Sequence, residues 1–472
     1  MESTLTVPAG EAHSVALSTG DSARLHQWKG RILRGIPADH ADHYRRLFDD
    51  GLVAALVERG LLVRSWIAPI RLDGFELVVE HERIECATYP REWTFGMLRD
   101  AALLVLQIND VASGFGYQTK DCHGYNILFS RGAPVYVDLG SFTPAPRGNR
   151  TLRSYEEFLR SYEYPLRLWT SCGSELGRRS VPRVGSLIPA STYAKIRWPV
   201  LRMFGDATLS RWIGRVHSAR TLSLRDEAEL GRRFTGWRGR AVRWLRESDL
   251  VSAPARIESI RRRVQELRPP NERSAWSDYH DTVDAQALTP RFRHALDRIR
   301  SLGATSVLEI AGNQGVLSRA LASSGRIRVL CTDADAAALD QGRRAAQRVD
   351  SNLDWAILDP FRQETSPREA PPTERFRSDA VVALALTHHL LLTQGLDLRE
   401  VLSVLGSFAD RFVLIEFMPR GLWDGSAEPS VPDWYTEAWF RAEFERCFEL
   451  LECTPLEPNR TLFVGRVRSA AP

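Results

Sequence analysis

The sequence predicts a chain in two parts: a carboxy-terminal α/β domain built on a doubly wound sheet, preceded by an α+β amino-terminal domain with a helical extension. Three observations predict it. Thr305 to Asp335 reads as strand, glycine-bearing turn, helix, and a second strand closed by an acid. Apolar runs of strand length then keep alternating with helical periodicity as far as Val467, as a sheet covered on both faces requires. Finally, Pro269-Pro270-Asn271 interrupts a helical stretch, and two prolines in series stop a helix. The expected divisions are 1–145, 146–270 and 271–472.

Composition narrows the functional classes. A length of 472 residues suits two or three domains, and a hydrophobic fraction of 43% is ample for their cores. No apolar run approaches the roughly 20 residues of a membrane helix, so no membrane partner is expected. The opening stretch lacks the basic start and apolar core of a signal peptide. Six scattered cysteines form neither C-x-x-C nor a Cys/His cluster, so no metal is expected, and the expected setting is the reducing cytoplasm. Net charge is +4, with only three lysines (Lys29, Lys120, Lys195) among 63 basic residues, a skew that reflects genomic base composition. The densest basic region, Arg232 to Arg268, alternates with Trp237, Val242 and Trp244, as a nucleic-acid groove would. Interspersed Glu247, Asp249, Glu258 and Glu266 favour a solvated helical face instead, and nucleic acid is not the expected partner.

In the amino-terminal part, His43 to Leu62 carries helical periodicity interrupted near Gly60. Phe75 to Val79 and Ile84 to Ala87 read as short strands, and Phe95 to Val111 as a helix with a strong apolar stripe. Two strands, Ile127 to Phe129 and Val135 to Val137, flank a turn at Arg131 to Pro134. Asp121 precedes them at a D-x-x-x-x-N spacing with Asn126, and Asp138-Leu139-Gly140 follows. This segment resembles the catalytic hairpin of protein-kinase-like phosphotransferases. The resemblance implies that Asp121 orients a hydroxyl while Asn126 and Asp138 hold Mg²⁺ against phosphates. No G-x-G-x-x-G and no strand lysine precede it, so a kinase-shaped scaffold with a vestigial nucleotide or metal site is expected. Such a domain could clasp substrate or support a homodimer. Helices are expected over Tyr155 to Trp169, Tyr193 to Phe204, Leu209 to Val216, Asp226 to Leu245 and Pro254 to Leu267.

In the carboxy-terminal part, Glu309 stands at the tip of the first strand, where a diphosphate would be repelled and a cationic amino group welcomed. Ala311-Gly312-Asn313-Gln314-Gly315 forms the turn, and Asp333-Ala334 ends the second strand, an acid placed to take ribose hydroxyls. The stretch resembles the class I S-adenosylmethionine-dependent methyltransferases, whose turn reads D/E-x-G-x-G-x-G. Glu309, Gly315 and Asp333 fall on that pattern; Ala311 and Asn313 replace its first two glycines. The resemblance implies a Rossmann-like seven-stranded sheet and S-adenosylmethionine as cofactor. It also implies that Asp359, beside Pro360, reads the adenine amine, the alternative being a loop acid that caps a helix. Trp276 and Tyr279 are candidates for a lid over the cofactor, or for packing.

The fourth strand, Asp379 to Leu386, runs into Thr387-His388-His389, a position that faces the methyl group in that class. Either imidazole could act as general base on a hydroxyl; the alternative is one cap and one pocket liner. Glu416, in a fifth strand from Phe412 to Phe417, serves the substrate or pairs with an arginine. Phe448 to Cys453 and Thr461 to Val467 form the closing strand pair.

The chain also resembles a bacterial group of methyltransferase-like proteins, nodulation-associated ones among them. The shared features are Tyr89 to Trp93 (YPREW), the KD-x-x-x-YN hairpin, WSDY from Trp276, and a THHL/IEF pair. The expected activity is O-methylation of a small molecule or sugar. A bifunctional kinase–methyltransferase acting on a glycan, and an RNA-modifying enzyme, are the alternatives.

Overall fold

The computed structural model describes residues 5–8, 10–15, 23–183, 185–211, 213, 256–270, 288–346, 352–363, 366, 369–423 and 431–468. Trp276, Tyr279 and most of Arg232 to Arg268, including the helix expected over 226–245, lie outside the described residues.

The amino-terminal half opens on an antiparallel sheet of β1 (His13–Ser14), β2 (Arg24–Trp28), β3 (Arg31–Ile36), β4 (Ser65–Ile67) and β5 (Leu77–His81), in the order β1-β2-β3-β5-β4. Helix α1 (Ala38–Asp49) buries Ala41, Tyr44 and Leu47 one turn apart. The helical stretch expected up to Gly60 breaks earlier, because Gly51 adopts φ 82 and starts a separate helix, α2 (Leu52–Glu58). Glycine enters that left-handed region without a Cβ clash. Helix α3 (Phe95–Phe115) is capped by Thr94, whose hydroxyl accepts the Met97 amide, and stops at Gly116 with φ 85, past the expected Val111. Ile84 to Ala87 is not a strand: the chain leaves the sheet after His81 and lines a cleft there. Strands β6 (Ile127–Ser130) and β7 (Ala133–Tyr136) form the expected hairpin.

Helix α4 (Ile257–Glu266) returns to α3 through an Arg261–Asp110 ion pair. Its Arg263, with Arg167, surrounds the fully buried Glu163. Although burial alone would push this carboxyl up, the two guanidiniums hold it below its ordinary value. Arg261 and Arg263, in the described end of the basic region, are therefore engaged in internal ion pairs.

The carboxy-terminal half begins with α5 (Pro290–Ser301), followed by β8 (Ser306–Ile310), α6 (Val316–Ala322), β9 (Arg328–Asp333), α7 (Ala336–Ala346), β10 (Leu353–Ile357), β11 (Ser378–Ala383), α8 (Leu398–Ser407), β12 (Ala409–Phe417), α9 (Glu437–Cys447), β13 (Phe448–Glu457) and β14 (Arg460–Val467). The strands make one seven-stranded mixed sheet in the order β10-β9-β8-β11-β12-β14-β13. All pairs are parallel except those of β14, which runs antiparallel to both β12 and β13. β8 and β10 are buried along their whole length, which explains their nearly continuous apolar reading. The strand order reverses at β8, between β9 and β11, and a crevice opens at the carboxyl ends there.

The halves share a core. One buried apolar cluster runs from Phe129 and Trp93 to Leu339 and Trp355. Polar contacts add registration. Asp340 accepts the Thr94 hydroxyl at 2.6 Å and the Gly96 amide at 3.1 Å. Arg343 meets Asp100 at 2.5 Å and the Gly132 carbonyl at 3.1 Å, while Asp354 accepts the Gly132 amide at 2.9 Å. Arg375 binds Glu92 at 2.5 Å.

Candidate active site

The crevice at the β8 switch point is a cavity of about 720 Å³ lined by Glu309, Ala311 to Asn313, Asp333 to Asp335, Asp359 to Phe361, His388 and His389. Its turn is shaped by backbone demands. Ala311 (φ 58), Asn313 (φ 53) and Gly315 (φ 65) all take left-handed conformations, so the two residues that replace glycines keep the glycine geometry. Gly312 is required for another reason: a Cβ there would lie 2.7 Å from the Cys331 sulfur. The Asn313 amide donates to Asp333 at 2.8 Å, tying the turn to the end of β9.

Glu309 is buried, and one of its oxygens accepts both the Ser318 amide at 3.0 Å and the Ser318 hydroxyl. It therefore anchors the first turn of α6 as well as facing the cavity. Burial pushes its pKa up to about 7, against the Ser318 hydrogen bonds. Asp333 is raised to about 6, again by burial, while the Asp335 and Asn313 amides pull it down. Two carboxylates whose charged forms burial disfavours, set in one groove, suit a ligand that brings positive charge. Asp359 uses one oxygen to accept the Phe361 amide at 3.0 Å, so it braces its own turn at the cavity wall.

At the other end, β11 passes through Ala385 (φ 51) into the two histidines. A π-helical turn, His389–Thr393, begins there, with the His388 and His389 rings 4.0 Å apart. His388 is buried, and among the described residues nothing hydrogen-bonds its Nδ1. Burial, then His389 and Arg460, lower its pKa to about 3; His389 is lowered by burial alone.

Glu416 is fully buried behind this end. One oxygen accepts from Arg460 at 2.6 Å, the Ala385 amide at 2.8 Å and Arg291 at 3.3 Å. The arginine-pairing alternative is thus what the geometry displays. Both arginines line the cavity, and sequence reasoning missed them.

A second cavity, about 510 Å³, lies against the amino-terminal sheet and contains Asp121, Asn126 and Asp138 together. Asn126 donates to Asp121 at 2.9 Å. Burial, then Asp138, raises Asp121 to about 6. Among the described residues no strand of this cleft carries a lysine, although Lys120 lines it beside Asp121; the strand cation is the buried Arg34 of β3, 3.0 Å from Asp138. Its Nε also donates to His81 Nε2 at 3.3 Å, and Ser65 meets the other ring nitrogen at 2.8 Å. A buried arginine in the apolar run Arg31 to Ile36 was the available signal. Glu374 and Arg375, from the carboxy-terminal half, complete this cleft. Between the halves, a third cavity of about 630 Å³ shares Ala334, Asp335, Leu358 and Asp359 with the switch-point groove. There Arg178 of the helical extension donates to the Ala334 carbonyl at 3.4 Å.

No family model matches the chain. It is 25% identical over 442 residues to nodulation protein NoeA of Rhizobium meliloti (strain 1021), covering 89% of this chain and 88% of that one. The resemblance to nodulation-type bacterial proteins therefore spans both halves. Among solved structures, the magnesium protoporphyrin IX methyltransferase ChlM of Synechocystis PCC 6803, crystallised with bound SAM, is 14% identical at a TM-score of 0.30, over 42% of this chain and 86% of that one. WbdD, co-crystallised with the kinase inhibitor LY294002, is 19% identical at a TM-score of 0.29, over 40% of this chain and 43% of that one.

Proposed function

We propose that the chain is an S-adenosylmethionine-dependent methyltransferase with a Rossmann-like carboxy-terminal domain, acting on a hydroxyl of a small molecule or sugar. The observation that carries this reading is the switch-point groove walled by Glu309 and Asp333, in which two buried carboxylates favour a cationic nucleoside. The residues present fit that ligand. Glu309 would face its ammonium, Asp333 its ribose hydroxyls, and the Asp359-Pro360 wall its adenine. The cofactor supplies a methyl group that is already activated, so the protein's work is alignment and exclusion of water. His389 is the better general base: its neighbour His388, held near 3, binds a proton too weakly at neutral pH. His388 instead offers a buried, neutral ring to orient the acceptor. Glu416 holds Arg460, Arg291 and the Ala385 amide in place behind them.

The amino-terminal half fits a kinase-like scaffold, with 146–270 as its helical extension and the methyltransferase domain from about 271. In it Arg34 engages Asp138, the acid that a metal-dependent phosphotransferase would commit to Mg²⁺. That pairing favours a scaffold over a working kinase. The free cysteines among the described residues suit the cytoplasm. Side-by-side calorimetry with S-adenosylmethionine and with ATP-Mg tests the division. Binding of the first and none of the second is expected; no binding of the first overturns the proposal.

A further inference from the structure

We infer that Arg178, from the helical extension of the amino-terminal half, positions the nucleoside end of the cofactor site, which is therefore built by both halves of the chain; this rests on the methyltransferase reading above. The extension turns back at Gly173, whose φ of 93 separates the helix Tyr164–Cys172 from a short helix, Ser174–Ser180. The two pack so closely that a Cβ on Gly177 would lie 2.4 Å from the Cβ of Trp169. Trp169 is itself buried, edge-on to Phe95 at the start of α3, with ring centroids 6.0 Å apart. The core therefore sets the short helix and stops it from rotating freely. The residue after Gly177, Arg178, reaches the cavity between the halves and donates to the Ala334 carbonyl at 3.4 Å. Ala334 joins two engaged acids. Asp333 accepts the Asn313 and Asp335 amides, each at 2.8 Å, and Asp335 accepts the Ala337 amide at 2.9 Å, at the start of α7. Tilting the Ala334 peptide would therefore move Asp333, the residue placed at the ribose. Ala334, Asp335, Leu358 and Asp359 line both this cavity and the switch-point groove, so the wall that Arg178 touches is the one the nucleoside would lie against. A contact this exposed adds little to the hold between the halves, which the buried contacts of Asp340, Arg343 and Arg375 supply. What it fixes is the orientation of one turn, as an outer layer of hydrogen bonds does in a preorganised site.

The test compares calorimetric affinities of the full-length protein for S-adenosylhomocysteine and for 5′-methylthioadenosine, which keeps the nucleoside and lacks the amino-acid tail. Arg178→Ala should weaken both by the same factor, about 3- to 10-fold, the range of one net hydrogen bond. Arg178→Lys, which keeps a donor, should recover part of the loss. The urea midpoint should stay where it is in the natural protein, because no buried contact is removed. Arg179→Ala, one residue on, removes an exposed pair with Glu175 and should leave both affinities unchanged. Two unchanged affinities in Arg178→Ala would overturn the inference and leave the methyltransferase reading standing. So would a loss confined to S-adenosylhomocysteine, which belongs to the tail, or a loss that tracks a fall in the urea midpoint, which belongs to folding. An equal loss in Arg179→Ala would also overturn it, as an effect of charge alone. Failure of the natural protein to bind either ligand would remove the methyltransferase reading itself.

Discussion

Glu309→Gln should make the protein more stable and worse at binding its cofactor. The carboxyl rises on folding from its ordinary 4.5 to about 7, with burial as the leading cause. A raised carboxyl means that the native state holds more protons than the unfolded chain between these values, so stability falls as pH climbs through that window. At about 1.4 kcal/mol per pH unit, the buried charge costs on the order of 3 kcal/mol by pH 8 and under about 1 kcal/mol at pH 5. Glutamine keeps the side-chain volume and an acceptor for Ser318 while removing that charge. Urea denaturation should show the variant gaining up to about 3 kcal/mol over the natural protein at pH 8, and far less at pH 5. Calorimetry with S-adenosylhomocysteine at pH 8 should show about a 10- to 100-fold loss of affinity, because an ammonium then meets a neutral amide. A variant that is less stable at pH 8, or that binds as tightly as the natural protein, would refute the reasoning.

Other outcomes follow from the same geometry. The natural protein's affinity for S-adenosylhomocysteine should rise between pH 6 and pH 8 as Glu309 ionises, with protons released on binding; titrations in two buffers of different ionisation enthalpy measure the release. Ala311→Gly relieves a left-handed alanine and should add about 1 kcal/mol to stability in chemical denaturation. Gly96→Ala would place a Cβ 2.4 Å from the Asp340 carboxylate; a loss of roughly 2–4 kcal/mol and faster proteolysis between the halves are expected. Arg34→Met removes the cation bonded to Asp138 and should cost roughly 3 kcal/mol in the same denaturation assay.

The carboxy-terminal half was readable because strands such as β8 and β10 are buried along their whole length and its helices on one face, so these elements carry their own period. The acids Glu309 and Asp333 could be placed for the same reason: each sits where a strand's apolar run ends. Arg291 could not be found that way. It lies on a helix 125 residues before Glu416, and only the closed sheet brings them together. Arg34 was hidden by a different assumption, that the cation of such a cleft is a lysine. The helix break at Gly51 was missed because Gly60 offered an equally plausible stop, and Gly60 also has positive φ. Tyr279, the lid candidate, lies outside the described residues.

Asp340, Arg343, Asp354 and Arg375 each hydrogen-bond at least one residue between Glu92 and Gly132. A fragment begun at residue 271 would shed every one of those counterparts at once, together with the apolar face around Phe129. Four charges matched to a missing surface would then face solvent beside exposed Leu339 and Trp355, the makings of a sticky, poorly folding piece. Any dissection of this chain should therefore proceed by point substitution in the intact protein rather than by truncation.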